Sequence, residues 1–319
     1  MLFKNFFSFL GFYILVFIAK TLATDIQRAN FDYYSSFTHM KILQDLELEL
    51  LDLFSKRNLN LGKREMNSNE VEVLDFLNEV NRIISSEKVK HSKSKVLTLL
   101  ASPIDQYKLI YRMSTEWPNI IKKIEQIDAR KADMAHKKVQ VIGGLPASSD
   151  LEGSIDAITR LHSTYLLNTT EFASGNVRGS GSLNALSAED CFRIGQKAYK
   201  INDFYTTAIW MREAFRKVKF ENDKSANEFN ILDHLAFSLS KFQLYESALA
   251  AGERMIDISE DKSTEHYEKP QVNDVERLKR NLEYYKQNIE DLTGVHPDDL
   301  PKNTEVDNKE KILDEWLCF

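Results

Sequence analysis

Apolar residues recur every third or fourth position along much of this chain, the spacing of one face of a helix. Met40, Leu43, Leu46, Leu50 and Leu53 form such a stripe, with Asp45, Glu47, Glu49 and Asp52 beside it. A second stripe, Leu74, Leu77, Val80 and Ile84, follows a cap region at Asn67, Ser68 and Asn69. The polar break at 56–69 joins the two. Two readings fit. One is an ordinary helical hairpin whose core lies within one chain. The other is a coiled-coil-like pair that seeks a second copy of itself. Each helix keeps the pattern for only about two heptads, which favours the first reading.

Ser102 and Pro103 mark the next helix start, because serine caps and proline needs no N–H at the first helical position. The pattern runs to Trp117, and Pro118 marks a break or restart. A further helix is expected over about 118–139. Gly143, Gly144, Leu145 and Pro146 punctuate the chain and set the main domain boundary. Residues 151–167 read as helix, and 168–182, rich in Gly, Ser and Thr, as linker.

From Ser187 the pattern changes to paired helices. Ser187 and Asp190 make a capping-box-like start. Ile194, Gly195 and Ala198, then Trp210, Met211 and Ala214, fit a tetratricopeptide (TPR) hairpin loosely. Leu232, Leu235, Ala236 and Leu239, then Tyr245, Ala248, Leu249 and Met255, fit a second one better. Gly195 and Ala236 lie farther apart than the usual period of about 34 residues, and an extended loop at 220–230 absorbs the excess. A last helix over 275–292 caps the stack. The expected fold is all-α: a helical domain over 24–145, helix and linker over 146–185, a TPR-like repeat over 186–292 and a polar tail over 293–319.

Scarce Gly (11) and Pro (6) in 319 residues agree with long helices, and 43% hydrophobic residues supply a sizeable core. The net charge of −6, with Lys122–Lys123 and Lys137–Lys138 only as isolated pairs, argues against a nucleic-acid partner. Lys4 followed by an apolar run over 6–19 reads as a secretory signal, cut after Ala23 so that no span remains; Lys20 interrupts the run and disfavours the alternative of a retained anchor. The body of the protein then faces the secretory lumen, where the sequon at Asn168, Thr169 and Thr170 is a usable glycosylation acceptor. Cys191 and Cys318 are too few for a disulfide framework, and Cys191 reads as a buried small hydrophobe.

Several ordered blocks resemble the collagen prolyl 4-hydroxylase alpha subunits. They are YSSFTHMKILQDLE (34–47), SPIDQYKLIYRMSTEW (102–117), DLEGSIDAITRLHSTYLLNTTEFASG (150–175), LSAEDCFRIGQKAYKINDFYTTAIWM (186–211) and LDEWLCF (313–319). The resemblance implies that the N-terminal helices dimerise, with a second copy or another alpha subunit, and so tips the choice toward a coiled-coil-like dimerisation domain over 24–145. It implies that the repeat domain binds proline-rich, collagen-like peptides. It also implies, for the full enzyme, hydroxylation of proline in Xaa-Pro-Gly with Fe(II), 2-oxoglutarate, O2 and ascorbate, in the endoplasmic reticulum lumen and partnered with protein disulfide isomerase.

A polyproline II strand has no internal hydrogen bonds and little entropy left to lose, so flat rings with polar tips suit it. Tyr199, Tyr205, His234 and Phe237 are the candidate slots, with Asp203 and Arg212 as polar orienters; Phe204 is expected to pack inside. The competing reading of all these rings is hydrophobic core. The family usually shows tyrosines where this chain has His234 and Phe237, and tyrosine or phenylalanine where it has Ser240, so ring planes persist at two positions while phenol hydroxyls and one ring are lost.

No catalytic residue is expected on this chain. The oxygenase chemistry needs His-x-Asp and a later His on iron. His296-Pro297-Asp298 matches by letter, but no histidine follows it before Phe319. No metal or cofactor site is therefore expected, and the chain reads as the substrate-holding part of the enzyme. The alternative is a stand-alone, non-catalytic TPR-type binding or adaptor protein of the secretory lumen.

Overall fold

The computed structural model describes residues 32–55, 59, 67–90, 102–177, 180–181, 184–260 and 272–293. The signal segment, Cys318, and His296 with Asp298 lie outside these residues. The described chain is helical apart from a two-residue antiparallel ladder in which Asn176 faces Gly181. None of its helices is long and apolar enough to cross a membrane. It divides into two compact units, one from residues up to 157 with 182–184, the other from 158–181 and 185 onward.

In the first unit, α1 (Phe37–Leu53) starts at Ser36, whose side chain accepts the His39 N–H, and α2 (Ser68–Lys90) follows. The predicted stripes are buried: Met40, Leu43, Leu46 and Leu50 on α1, Leu77, Val80 and Ile84 on α2. Their partners come from the same chain. Leu109 and Ile110 of α3 (Pro103–Tyr111), Ile120, Ile121 and Ile124 of α4 (Trp117–Ile127), and Ala132 and Ala135 of α5 (Ala129–Val141) join them in one core. These stripes are therefore buried in a multi-helix core within one chain, α1 against α3 and α5, and α2 against α4.

Several local details could not be read from the pattern. Glu47, beside the α1 stripe, is 1% exposed and holds Arg112 through two 2.8 Å hydrogen bonds, while Trp117 Nε1 donates to it at 3.0 Å. Pro118 marks the restart rather than a break: a π-helical turn at Arg112–Glu116 widens the backbone just before it, and α4 begins with the proline in its first turn. The break comes at Asp128, which leaves helical dihedrals and caps α5 by accepting the Lys131 N–H. Ser102 takes the N-cap backbone conformation but makes no side-chain cap bond, so Pro103 alone provides the start signal there.

Gly143 (φ 90°) and Gly144 (φ 114°) turn the chain after α5 in the left-handed region that glycine enters at no steric cost. α6 (Ser148–Thr164) begins in the first unit, where Asp150 accepts the Tyr33 and Ala147 N–H groups. Its last turns belong to the second unit. There His162 lies 5.3 Å from Trp210 and 6.1 Å from Phe172, ring centre to ring centre. Residues 168–182 are thus more than linker: Asn168 caps a short helix, α7 (Thr169–Ala173), and Phe172 is fully buried.

Burial in this ring cluster lowers the His162 pKa. A depressed histidine favours the neutral form in the folded state, so its contribution is present at neutral pH. It is lost as pH falls through the ordinary imidazole value of about 6.5 and below. Thermal denaturation of the second unit should show a melting temperature that declines over that range, and His162→Gln should flatten the decline.

Five helices complete the second unit: α8 (Ala188–Lys200), α9 (Phe204–Phe220), α10 (Glu228–Lys241), α11 (Tyr245–Glu260) and α12 (Val272–Thr293), each packed on the next. Ser187 and Asp190 form a full capping box at α8. The two hairpins use the same turn. Asn202 and Gln243 both sit at φ 61°, and the Asp203 and Leu244 N–H groups close back on Ala198 and Leu239. Gly195 lets α9 come close, since a Cβ there would stand 3.0 Å from the Met211 methyl. Cys191 is buried, as expected of a small hydrophobe.

Candidate peptide-binding site

The repeat places α8 and α10 side by side, so residues one or two turns apart on each helix form one row. Tyr199 of α8 is its centre. Its ring lies 4.8 Å from His234 and 5.5 Å from Phe237 of α10, and 6.0 Å from Phe204 at the start of α9. Phe192, two turns earlier on α8, meets His234 at 5.4 Å, and Phe204 meets Phe237 at 5.6 Å. All these pairs are edge-to-face or nearly so, and all five rings are half-buried. Each is braced by its neighbours yet keeps an open side.

Polar groups border the row. Asp233 and Arg277 of α12 are joined by two 2.9 Å hydrogen bonds. Burial raises the Tyr199 pKa, and the Asp233 carboxylate adds to this, so the phenol stays protonated as a donor. Lys241 Nζ stands 4.5 Å from the Phe237 ring centre and 5.8 Å from that of Phe204, a cation over two aromatic faces.

Two family models match this chain. "Prolyl 4-Hydroxylase alpha-subunit, N-terminal region" covers residues 36–179, and "Prolyl 4-hydroxylase peptide-substrate-binding domain" covers residues 188–291. Together they span more than half of the chain. The chain belongs to the prolyl 4-hydroxylase alpha-subunit family. It is 30% identical to prolyl 4-hydroxylase subunit alpha-2 of Caenorhabditis elegans over 72% of its own length and 41% of that protein. It is 26% identical to subunit alpha-1 of the same organism over 87% and 51%, and 30% identical to subunit alpha-3 of Homo sapiens over 57% and 35%. The chain thus spans about half or less of the length of these relatives. The row of rings lies wholly within the part that matches the family's peptide-substrate-binding domain.

Against that domain the predicted residues divide. Tyr199, His234 and Phe237 come together in the row. Phe204, expected inside, joins it as a half-buried member. Tyr205 is 67% exposed and takes part in no ring pair among the described residues. Asp203 serves the backbone: its carboxylate caps α9 by accepting the Thr206 N–H at 3.0 Å. Arg212 is half-buried on α9, the second helix of the first hairpin.

Three contributors escaped the sequence reading. Phe192 lies seven residues before Tyr199, a spacing of two helical turns that would have found it. Lys241 lies four residues after Phe237, on the same face. Tyr285 of α12 had no local signal. It is 3% exposed, its hydroxyl is hydrogen-bonded with Ser240, and burial pushes its phenol up to about 12. The position where α10 offers serine instead of a ring is therefore covered by a ring from α12, followed by the edge-to-face pair of Tyr284 with Tyr245 at 6.0 Å.

Proposed function

We propose that this chain holds proline-rich, collagen-like peptides on the ring row of its second unit, for 4-hydroxylation of their prolines in the endoplasmic reticulum lumen. The observation that carries this is the braced, half-open set of Phe192, Tyr199, Phe204, His234 and Phe237. An extended strand without internal hydrogen bonds needs flat apolar contacts and a few donors for its carbonyls. The row offers the contacts, and the Tyr199 hydroxyl offers a donor. Among the described residues no three His, Cys, Asp or Glu side chains converge as a metal site, so no hydroxylation step is assigned to any of them. Fe(II), 2-oxoglutarate and ascorbate belong to the family's full enzyme in this reading.

The first unit contributes self-association or pairing with another alpha subunit, which the match to the family's N-terminal region supports. Protein disulfide isomerase is the partner of the family's full enzyme in this reading. Asn168 is exposed and uses its Oδ1 to cap α7, so it suits an N-linked glycan. Expression through the secretory pathway should yield a chain whose mass drops on endoglycosidase treatment, and Asn168→Gln should abolish the drop. Calorimetric titration of the full chain with a proline-rich peptide tests the central reading. The absence of heat, together with unshifted ring resonances, would overturn it.

A further inference from the structure

The fold holds the sequon at Asn168, Thr169 and Thr170 by all three of its side chains. Asn168 Oδ1 accepts the Glu171 N–H at 3.0 Å. Thr169 Oγ1 meets His162 Nε2 at 3.0 Å, and the Thr170 hydroxyl donates to Glu213 Oε2 at 2.7 Å. Glu213, on α9, is 2% exposed and is itself fixed by Arg216 through hydrogen bonds of 2.8 and 3.0 Å. Phe172, fully buried against His162 and Trp210, ties α7 to the same place. Of the polar side-chain atoms in the triplet, only Asn168 Nδ2 takes no hydrogen bond among the described residues, and Asn168 is exposed.

Transfer of an N-glycan joins Nδ2 to the anomeric carbon of the first sugar. It breaks the bond from that carbon to the diphosphate of a lipid-linked oligosaccharide donor. The lipid diphosphate leaves, and one Nδ2 proton passes to a base of the transferase. The acceptor is defined by a hydroxyl two residues after the asparagine, so the enzyme must grip that hydroxyl together with the amide. Here the hydroxyl is already given to Glu213, and its backbone is already wound into α7. The product meets no such obstacle: a glycan on Nδ2 leaves all three hydrogen bonds in place.

We infer that Asn168 accepts a glycan only before α9 closes on α7, and that the bond from Thr170 to Glu213 is the lock that ends acceptance. This rests on the glycan reading of Asn168 above and adds its timing. Glu213 follows Thr170 by 43 residues, a stretch that synthesis covers in about 2–9 s. The order of the chain thus opens a window between arrival of the acceptor and arrival of its lock.

The test takes the full chain, made without glycan and folded, and adds solubilised oligosaccharyltransferase with a lipid-linked oligosaccharide donor. Mass and gel mobility report transfer. Wild type should gain glycan about ten-fold more slowly than Phe172→Ala, in which α7 loses its anchor and opens more often. Glu213→Ala should speed transfer about five-fold over wild type, the worth of one hydrogen bond, with circular dichroism as the check on folding. Glu213→Gln, which keeps the shape and weakens the bond, takes its place if the alanine variant loses helical content. Equal rates for wild type and Phe172→Ala would overturn the timing and leave Asn168 an acceptor. An unchanged rate in the folded position-213 variant would overturn the lock. No transfer to any of these chains, by an enzyme that glycosylates a standard sequon peptide, would overturn the acceptor reading as well.

Discussion

Arg112→Ala is expected to destabilise the first unit by about 3–5 kcal/mol, as breaking a buried ion pair does. The guanidinium is held by both Glu47 oxygens at 2.8 Å, and the two side chains are 6% and 1% exposed. Removing the arginine leaves a carboxylate inside the core with only Trp117 Nε1 to answer it. It also opens space beside Trp117, which packs on Phe54 and Phe76. Glu47→Leu combined with Arg112→Met should recover most of the loss, because the penalty comes from the orphaned charge rather than from the missing attraction. An exposed pair provides the contrast: Lys137→Ala, which frees Asp133 on the surface of α5, should cost no more than about 0.5 kcal/mol. Chemical denaturation followed by circular dichroism checks all three. An Arg112→Ala loss below about 1 kcal/mol would refute the argument.

Tyr199→Ala is expected to weaken binding of a proline-rich peptide by roughly 2 kcal/mol, about 30-fold, the scale of a central aromatic hot spot. The residue touches Phe204, His234 and Phe237, so its loss removes one slot and unbraces three others. It is half-buried rather than part of the inner core, so the fold should persist. Tyr205→Ala is the informative neighbour. With Tyr205 67% exposed and outside the ring pairs, its removal should change affinity by less than about 3-fold. Titration calorimetry of both variants distinguishes a site centred on the ring row from one spread over every exposed aromatic. If Tyr205 mattered more than Tyr199, the site would lie on the wrong face.

How far the sequence reveals this molecule depends on distance along the chain. Helical stripes, the Ser187 capping box and the repeat hairpins are local or periodic features, and each is legible from spacing. Glu47 shows why other features are not. Beside an apolar stripe a glutamate reads as solvated, and what draws it inward is an arginine 65 residues away. Pro118 reads equally as a break or a restart, because the π turn that decides for the restart has no composition of its own. In the site, Tyr199, His234 and Phe237 were visible from ring spacing, whereas Tyr285 answers Ser240 from a different helix. Asp203 reads as a polar orienter of the ligand, and the cap it makes at the start of α9 shows only once the helix boundary is known.

The final helix also sets where the recognition region can be cut. α12 belongs to neither repeat hairpin and caps the stack. It delivers Arg277 to Asp233 and Tyr285 to Ser240, and its Leu282 lies so close to Gly252 that a Cβ there would come within 2.5 Å. An excised fragment ending at Glu260 would retain all five rings of the row but lose the wall behind them. Deletion boundaries chosen by counting hairpins would thus yield a piece with the right residues in an unsupported arrangement.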